Sequence, residues 1–309
     1  MIKIDLITGF LGSGKTTFLK KYVKNLIGQG LKVGILENDF GAVNVDMLLL
    51  QDLLGEQCDL EMVSGGCDKD CHKRRFKTKL IAMGMRGFDR VIVEPSGIYD
   101  VDEFFDTLQE EPLDQWYEIG SVIAIVDAGL EEELSAASDY LLASQLADAG
   151  QVVLSKVQEV PPEQITHTLA HLNRALEQIH CERRLGEDVL KKDWDTFTQE
   201  DFDRLRNCGY HSVPYVKMDV DEEKQFQSLF FMEMHLSPEQ LQNSARRILQ
   251  DTGCGSVFRV KGFTQNGNAW VEVNATRKQI ETRPLEKGQE IFIVIGEHLK
   301  EDKIKSLIG

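Results

Sequence analysis

Residues 2–26 read Ile2-Lys-Ile-Asp-Leu-Ile-Thr8, then Gly9-Phe-Leu-Gly-Ser-Gly-Lys-Thr16, then Thr17-Phe-Leu-Lys-Lys-Tyr-Val-Lys-Asn-Leu26. The first block has the pattern of a buried strand, apolar at Ile2, Ile4, Leu6 and Ile7. The stretch from Thr16 to Leu26 has helical spacing, with Phe18, Leu19, Val23 and Leu26 forming an apolar stripe. Between them the pattern G-x-x-x-x-G-K-[ST] is complete. Strand, glycine loop and helix are the context that gives this pattern its meaning, a phosphate-binding loop. Gly9, Gly12 and Gly14 let backbone N–H groups close around a β-phosphate, with Ser13 and Thr17 flanking it. The helix N-terminus adds partial positive charge. Lys15 is expected to bridge the β- and γ-phosphates, and Thr16 to hold Mg²⁺. The competing reading, a glycine-rich turn, does not account for the flanking elements.

The same strand–helix alternation continues. Lys32–Glu37, Cys58–Val63, Arg90–Glu94, Ser121–Asp127 and Gln151–Ser155 are short apolar runs suited to strands of a parallel sheet. Helical patterns fall near 72–86, 100–108 and 137–148, and Pro161-Pro162 opens a long helix to about Ile179. The expected architecture is α/β: a doubly wound, mostly parallel sheet whose ligands sit at the carboxyl ends of the strands. The stretch 180–210 reads as a charged connection carrying a short helix. Later strands are expected at Phe226–Leu236, Ser256–Phe263, Trp270–Asn274, Gln279–Arg283 and Glu290–Ile295. A helix capped by Ser237 runs to about Gln250, and a last one covers 300–308. These make a smaller α+β domain, so the expected division is 1–218 and 219–309.

Composition narrows the function. Acidic residues outnumber basic ones 51 to 35, for a net charge of −16. That speaks against nucleic acid or an anionic membrane as partner, since both select basic surfaces. No apolar run reaches membrane-spanning length, and the first strand begins at residue 2 with no room for a signal peptide. The expectation is a cytoplasmic protein. Six cysteines in 309 residues are too few for a disulfide scaffold.

Two further loops belong with the phosphate site. Arg90-Val-Ile-Val-Glu-Pro-Ser-Gly97 is a buried strand ending in an acid, with glycine three residues on. Glu94 is placed to hold Mg²⁺, directly or through water, and Gly97 to offer its N–H to the γ-phosphate. Glu37-Asn-Asp-Phe-Gly41 follows the second strand. Of its carboxylates, Glu37 and Asp39, one can orient water or bind Mg²⁺ and the other a second metal. Asn, Asp and Gly are equally ordinary turn residues.

In this order, GFLGSGKTT, ENDFG, the glycine-cysteine segment at 65–67, VIVEPSG and the late FRVKGF (258–263) resemble the CobW-type family of P-loop GTPases. The similarity extends over nearly the whole chain. It implies a GTP- or ATP-hydrolysing domain, with Lys15, Asp39 and Glu94 as catalytic candidates. It also implies a cysteine metal site on a mobile loop, and delivery of Zn²⁺ or Co²⁺ to a client metalloprotein or cofactor-synthesis partner. A homodimer is left open.

The chain departs from the family pattern twice. Where the family carries Gly-Cys-x-Cys-Cys, this sequence has Gly66-Cys67-Asp-Lys-Asp-Cys71-His72. Cys67, Cys71 and His72 are suitable ligands for Zn²⁺ or Co²⁺, with Glu37 as a further one. Free surface thiols are the alternative. Where guanine-specific members carry Asn-Lys-x-Asp, this chain has Ser155-Lys156-Val157-Gln158. Lys156 keeps its stem for the base, but Gln158 offers one acceptor and one donor where aspartate offers two acceptors. Both GTP and ATP therefore remain candidates. A small-molecule kinase and a non-catalytic nucleotide- or metal-dependent regulator are the rival readings; no arginine-bearing lid signature supports the kinase. His167 and His171 share a metal-pair spacing but are expected to face solvent, away from the apolar stripe of their helix.

Overall fold

In the structure, a computed structural model, the short apolar runs of the first half become a six-stranded sheet of order β3-β2-β4-β1-β5-β6. The residues described are 1–39, 50–65, 69–218, 225–267, 269–285 and 288–309. They form two compact units, Met1–Met218 and Asp219–Gly309. The strands of the first are β1 (Ile2–Thr8), β2 (Val33–Asp39), β3 (Cys58–Ser64), β4 (Arg90–Pro95), β5 (Tyr117–Asp127) and β6 (Gln151–Ser155). All pairings are parallel. The carboxyl ends of β1, β2 and β4 therefore lie side by side, where such sheets bind ligands.

Helix α1 (Lys15–Gly28) shows what holds this arrangement. Its Phe18, Leu19, Tyr22, Val23 and Leu26 are buried. They pack in one cluster with Ile7, Ile35, Ile92 and Ile125 of four different strands. Each such side chain contributes about 1.5–3 kcal/mol. Gly14, at the N-cap, makes no side-chain capping bond, and the first turn has no acidic residue. A missing cap costs about 1 kcal/mol, well below the burial term, so packing fixes the helix and leaves its first N–H groups for an anion.

Among the described residues the remaining α-helices of this unit are α2 (Lys69–Gly84), α3 (Val101–Leu108), α4 (Leu113–Trp116), α5 (Ala136–Ala147), α6 (Pro162–Gln178) and α7 (Gln199–Arg206). Strand β5 begins at Tyr117, earlier than the apolar run at Ser121 suggests. The register of β1 on β5 shifts between Ile4 and Leu6, and Asp5 sits fully buried at the irregularity. Arg90 Nη1 lies 2.7 Å from Asp5 Oδ2, Tyr22 donates to the same oxygen at 2.8 Å, and Ser121 N–H donates to Oδ1 at 2.8 Å. Burial raises the Asp5 carboxyl above its ordinary range, against the pull of Arg90. Residues 180–198 lie alongside the sheet: Leu190 bridges to Val153 in parallel sense.

Beyond α7 a strap runs back over the unit. Tyr210 bridges to Ala149, and His211 and Val216 N–H groups donate to the carbonyls of Asp148 and Ile179. Tyr215 Oη donates to Asp102 Oδ2 at 3.1 Å, and Lys217 Nζ pairs with the same oxygen at 2.5 Å.

His171 corrects the expectation of a solvated histidine pair. It is 3% exposed. Nε2 lies 2.6 Å from Asp139 Oδ1 on α5, and Nδ1 lies 2.9 Å from the Glu131 carbonyl. Helical periodicity marks a helix's own apolar stripe, but it does not register a neighbouring turn folding over the flank. His167 is exposed, as expected.

The second unit holds an antiparallel sheet of order β10-β9-β8-β11-β7. Its strands are β7 (Phe226–Met232), β8 (Ser256–Asn266), β9 (Ala269–Ala275), β10 (Ile280–Leu285) and β11 (Ile291–Glu297). Strand β7 stops short of Leu236. Helix α8 (Pro238–Gln250) starts with a full capping box between Ser237 and Gln240. Its Leu241, Ala245, Ile248 and Leu249 pack with Val257, Val260, Val273, Phe292 and Val294. The final helix α9 covers only Glu301–Lys305. Among the described residues no helix is long and apolar enough to cross a membrane.

Candidate functional site

The phosphate loop is shaped by two close approaches. Gly9 has φ +145°, and a Cβ there would lie 2.2 Å from the Ile125 carbonyl oxygen, so only glycine fits. On the far side, a Cβ on Gly97 would lie 2.8 Å from the backbone nitrogen of Leu11. The loop after β4 thus rests directly on the phosphate loop. Gln145 Nε2 on α5 donates to the Gly97 carbonyl at 3.1 Å and holds it there.

Within the loop, Lys15 Nζ donates to the Gly9 carbonyl at 2.9 Å, which folds the ammonium back over the turn. Thr16 Oγ1 donates to Glu94 Oε1 at 2.7 Å, so a hydroxyl from α1 and a carboxylate from β4 meet at one point. Glu37 is the register partner of Glu94 on the adjacent strand, and both are 4% exposed. Two buried carboxylates at the same level beside an anion-binding loop are the donor set a hard divalent cation selects. Ser13 Oγ is buried and meets no hydrogen-bond partner among the described residues. A polar atom of that kind in a phosphate loop suits a ligand oxygen. The loop therefore fits Mg²⁺ with a nucleotide. Thr17 is exposed. Asp39 ends β2, and its side chain lies outside the described residues.

At the base end, Ser155 closes β6 and Lys156 follows with φ 55°. Lys156 Nζ pairs with Asp127 Oδ2 at 2.7 Å and lies 3.5 Å from the Gly12 carbonyl, so its stem is held against the phosphate loop. Gln158 is exposed on the short 3-10 turn Val157–Glu159. Two residues here escaped the sequence reading. Asp127, which anchors Lys156, stands at a strand's carboxyl end, a position that could have flagged it. Trp194 donates from Nε1 to the Leu154 carbonyl at 3.0 Å, and a Cβ on Gly14 would lie 3.4 Å from its ring. It supports the loop from a distant segment and carries no local signal.

The cysteine segment is described in part. Cys67 lies outside the described residues, as does Asp68. Cys71, partly exposed, and His72 stand in the first turns of α2. His72 is fully buried. Its Nε2 lies 2.7 Å from Asn38 Oδ1 and its Nδ1 3.2 Å from the Gly65 carbonyl. His72 and Cys71 are thus adjacent at the start of α2, with the imidazole turned toward the end of β2. Among the described residues no three His, Cys, Asp or Glu side chains cluster to hold a metal. Arg75 Nη1 donates to the Ser64 carbonyl at 2.9 Å, closing the same turn from one helical turn further on.

Comparison with known proteins gives the family of the chain. The model of the family CobW/HypB/UreG, nucleotide-binding domain, matches residues 3–185. The chain is similar to the zinc chaperone YjiA of Escherichia coli K12, 30% identical over 181 residues, covering 56% of this chain and 55% of that protein. It is also 30% identical over 164 residues to the zinc chaperone YeiR of the same organism, covering 53% and 49%. The crystal structure of Zn(II)-bound YjiA GTPase from E. coli overlaps 99% of this chain and 97% of that chain, with a TM-score of 0.40 and 21% identity. The chain matches about half the length of these curated relatives.

Proposed function

This chain belongs to the CobW/HypB/UreG nucleotide-binding family, and we propose that it is a GTP hydrolase coupling its nucleotide state to the binding and delivery of zinc. The observation that carries the hydrolase is the meeting of Thr16 and Glu94 beside Lys15 and the loop Gly9–Gly14. Lys15 swings from the Gly9 carbonyl onto the β- and γ-phosphates and neutralises charge that builds during phosphoryl transfer. Thr16 and Glu94, already in contact, would hold Mg²⁺. Bound there, Mg²⁺ supplies positive charge to the phosphate oxygens. Gly97 presents its N–H to the γ-phosphate from a loop already packed on Leu11. Asp39 is the candidate for orienting water. Lys156 lines the base, and Gln158 reads its edge with less preference for guanine than an aspartate has.

Zinc is the proposed cargo because similar proteins are named as zinc chaperones. Cys67 and Cys71 are its proposed thiolate ligands, with Glu37 reaching from the neighbouring strand end. His72, adjacent to Cys71, is the other candidate to complete the site. The client is a metalloprotein or cofactor-synthesis partner in the cytoplasm.

The test has two arms. Lys15→Ala is expected to abolish GTP hydrolysis in a folded protein, and near-normal turnover there would remove the hydrolase. Cobalt, as a spectroscopic stand-in for zinc, is expected to give a thiolate charge-transfer band. A Cys67→Ser/Cys71→Ser protein that binds cobalt as tightly with the same spectrum would remove the metal site.

A further inference from the structure

The segment from Leu190 to Gln199 lies along the outer side of β6. Leu190 N–H donates to the Val152 carbonyl, and the Leu190 carbonyl accepts from the Leu154 N–H, both at 2.9 Å. The next acceptor on this side of the strand is the Leu154 carbonyl. Its donor is a side chain, the Trp194 indole, at 3.0 Å. The indole thus extends the pairing by one step, to the residue before Ser155.

The ring reaches the other half of the nucleotide site. It meets Phe18 of α1 edge to face, with centroids 5.3 Å apart and planes at 69°. A Cβ on Gly14 would lie 3.4 Å from Trp194 Cη2 and 3.8 Å from Ser155 Cβ. The indole and the short serine side chain therefore share the space over the last glycine of the phosphate loop. The segment is pinned along α1 by the ion pair of Lys21 with Asp195 and by Asn25 Nδ2 donating to Gln199 Oε1 at 2.9 Å. The Asp193 carboxylate accepts from the Asp195 N–H at 2.9 Å and shapes the turn that presents the ring.

The two halves of the site are held differently. The phosphate loop rests on the Ile125 carbonyl at Gly9 and on Gly97 at Leu11. The turn after β6 begins with Lys156 at φ 55°, a backbone region that residues other than glycine rarely occupy. On its inner side the Ala128 N–H donates to the Ser155 carbonyl at 2.9 Å, and Lys156 pairs with Asp127. Its outer side is tied by Trp194. One side chain thus joins the turn to the phosphate loop from a third segment.

We infer that Trp194 is a positioning residue that holds the base-binding turn Ser155–Gln158 at its working distance from the phosphate loop. The inference rests on the nucleotide reading above and deepens it. Trp194 acts through Leu154 and Gly14: with the turn already in place, a base that arrives there has little left to order, and its contacts appear in full as affinity.

The test separates the two halves with a ligand that has phosphates and no base. Affinities of the full chain for Mg²⁺-pyrophosphate and for Mg²⁺-GDP are measured by titration calorimetry, and their ratio is what the nucleoside adds. Trp194→Phe keeps a ring for Gly14 and Phe18 but removes the N–H. It is expected to lower the ratio about fivefold, the worth of one hydrogen bond, with pyrophosphate affinity within about threefold of wild type. Trp194→Leu removes the ring contacts as well and is expected to lower the ratio about tenfold or more. In GTP hydrolysis Trp194→Phe is expected to raise KM by about fivefold at unchanged kcat, the pattern of binding lost equally from ground and transition states. A residue that only buttressed the phosphate loop would lower kcat, and one that only filled space would lower the melting temperature and leave both constants alone. Trp194→Phe conserves the packing, so the comparison stands even where Trp194→Leu fails to fold. Three results overturn the inference in a protein that still binds pyrophosphate: pyrophosphate and GDP affinities fall by the same factor in Trp194→Phe, the ratio and KM of Trp194→Phe match wild type, or wild type binds GDP no better than pyrophosphate. A wild-type protein that binds neither ligand removes the nucleotide reading, and the inference with it.

Discussion

Replacing Gly97 by alanine tests the proposal that this loop senses a γ-phosphate through its contact with Leu11. Gly97 is not among the glycines with positive φ, so alanine meets no backbone penalty and only the added methyl matters. That methyl would lie 2.8 Å from Leu11 N and 2.9 Å from Leu11 Cα and Cδ2, where ordinary contact begins at 3.4 Å. The two loops must separate by about 0.6 Å, the difference between those distances. The phosphate loop has little room to yield, because Gly9 already rests on the Ile125 carbonyl. Overpacking of this kind costs about 1–3 kcal/mol. A misplacement near 1 Å costs on the order of 10²-fold in rate, so kcat for GTP is expected to fall roughly 10–100-fold. Affinity for a non-hydrolysable triphosphate is expected to fall about tenfold, equal to 1.4 kcal/mol. Affinity for the diphosphate, held by Gly9–Thr17, is expected to stay within about threefold. Single-turnover hydrolysis and fluorescent-nucleotide titration measure both. A Gly97→Ala protein with wild-type turnover and wild-type triphosphate affinity would refute the role assigned to this contact.

Gln158→Asp is expected to shift preference toward GTP over ATP by tenfold or more, since one mismatched base edge is worth about 1–3 kcal/mol; competition between the two nucleotides reads it, and an unchanged ratio would mean another segment recognises the base. Arg90→Met leaves the Asp5 carboxylate buried without its cation and is expected to cost about 3–5 kcal/mol, most of it recovered in Asp5→Asn/Arg90→Met. Urea unfolding at neutral pH checks this, and a double variant as unstable as the single would show that packing, not charge, is the loss. Burial, reinforced by the charge of Asp102, pushes the Asp148 carboxyl up to about 6. A raised folded pKa means stability that is present below the ordinary value of 3.8 and lost as pH rises to about 6. Asp148→Asn is therefore expected to stabilise at pH 7 by on the order of 2 kcal/mol and to change little at pH 4, as thermal melts at the two pH values would show.

The parts of this molecule that were legible in its sequence are those where chemistry fixes residue type and spacing together. Gly9, Gly12, Gly14, Lys15 and Thr16 fall within eight residues, so their pattern survives without knowledge of the fold. Glu94 stood out because its strand, buried on both faces, ends at the carboxyl edge of the sheet, where it meets Thr16. The helix capped by Ser237 was legible for a similar reason, since Pro238 and Gln240 complete a local motif. What stayed hidden depends on partners distant in sequence. Asn38 looks like a turn residue until His72 arrives from 34 residues away. Trp194 reads as part of an irregular connection until β6 places Leu154 against its indole. Strand β5 was read short because Tyr117-Glu-Ile-Gly-Ser121 lacks a continuous apolar run, and its early residues pair across an irregular register with β1.

The strap over residues 210–218 bears on where this chain can be cut. Regular structure in the first unit ends with α7 at Arg206, and a truncation designed from helices and strands alone would stop there. Such a fragment would lose Tyr210, whose ring lies 5.3 Å from that of Phe105 on α3. It would also lose Lys217, leaving Asp102 without the cation that faces it and without the Tyr215 hydroxyl. The partly hydrophobic flank of α3 would then meet water beside an Asp102 carboxylate stripped of these partners. A fragment ending at Met218 carries its own cover. For expression, domain grafting or fusion of a reporter, the usable border of the nucleotide-binding half is the end of an irregular segment.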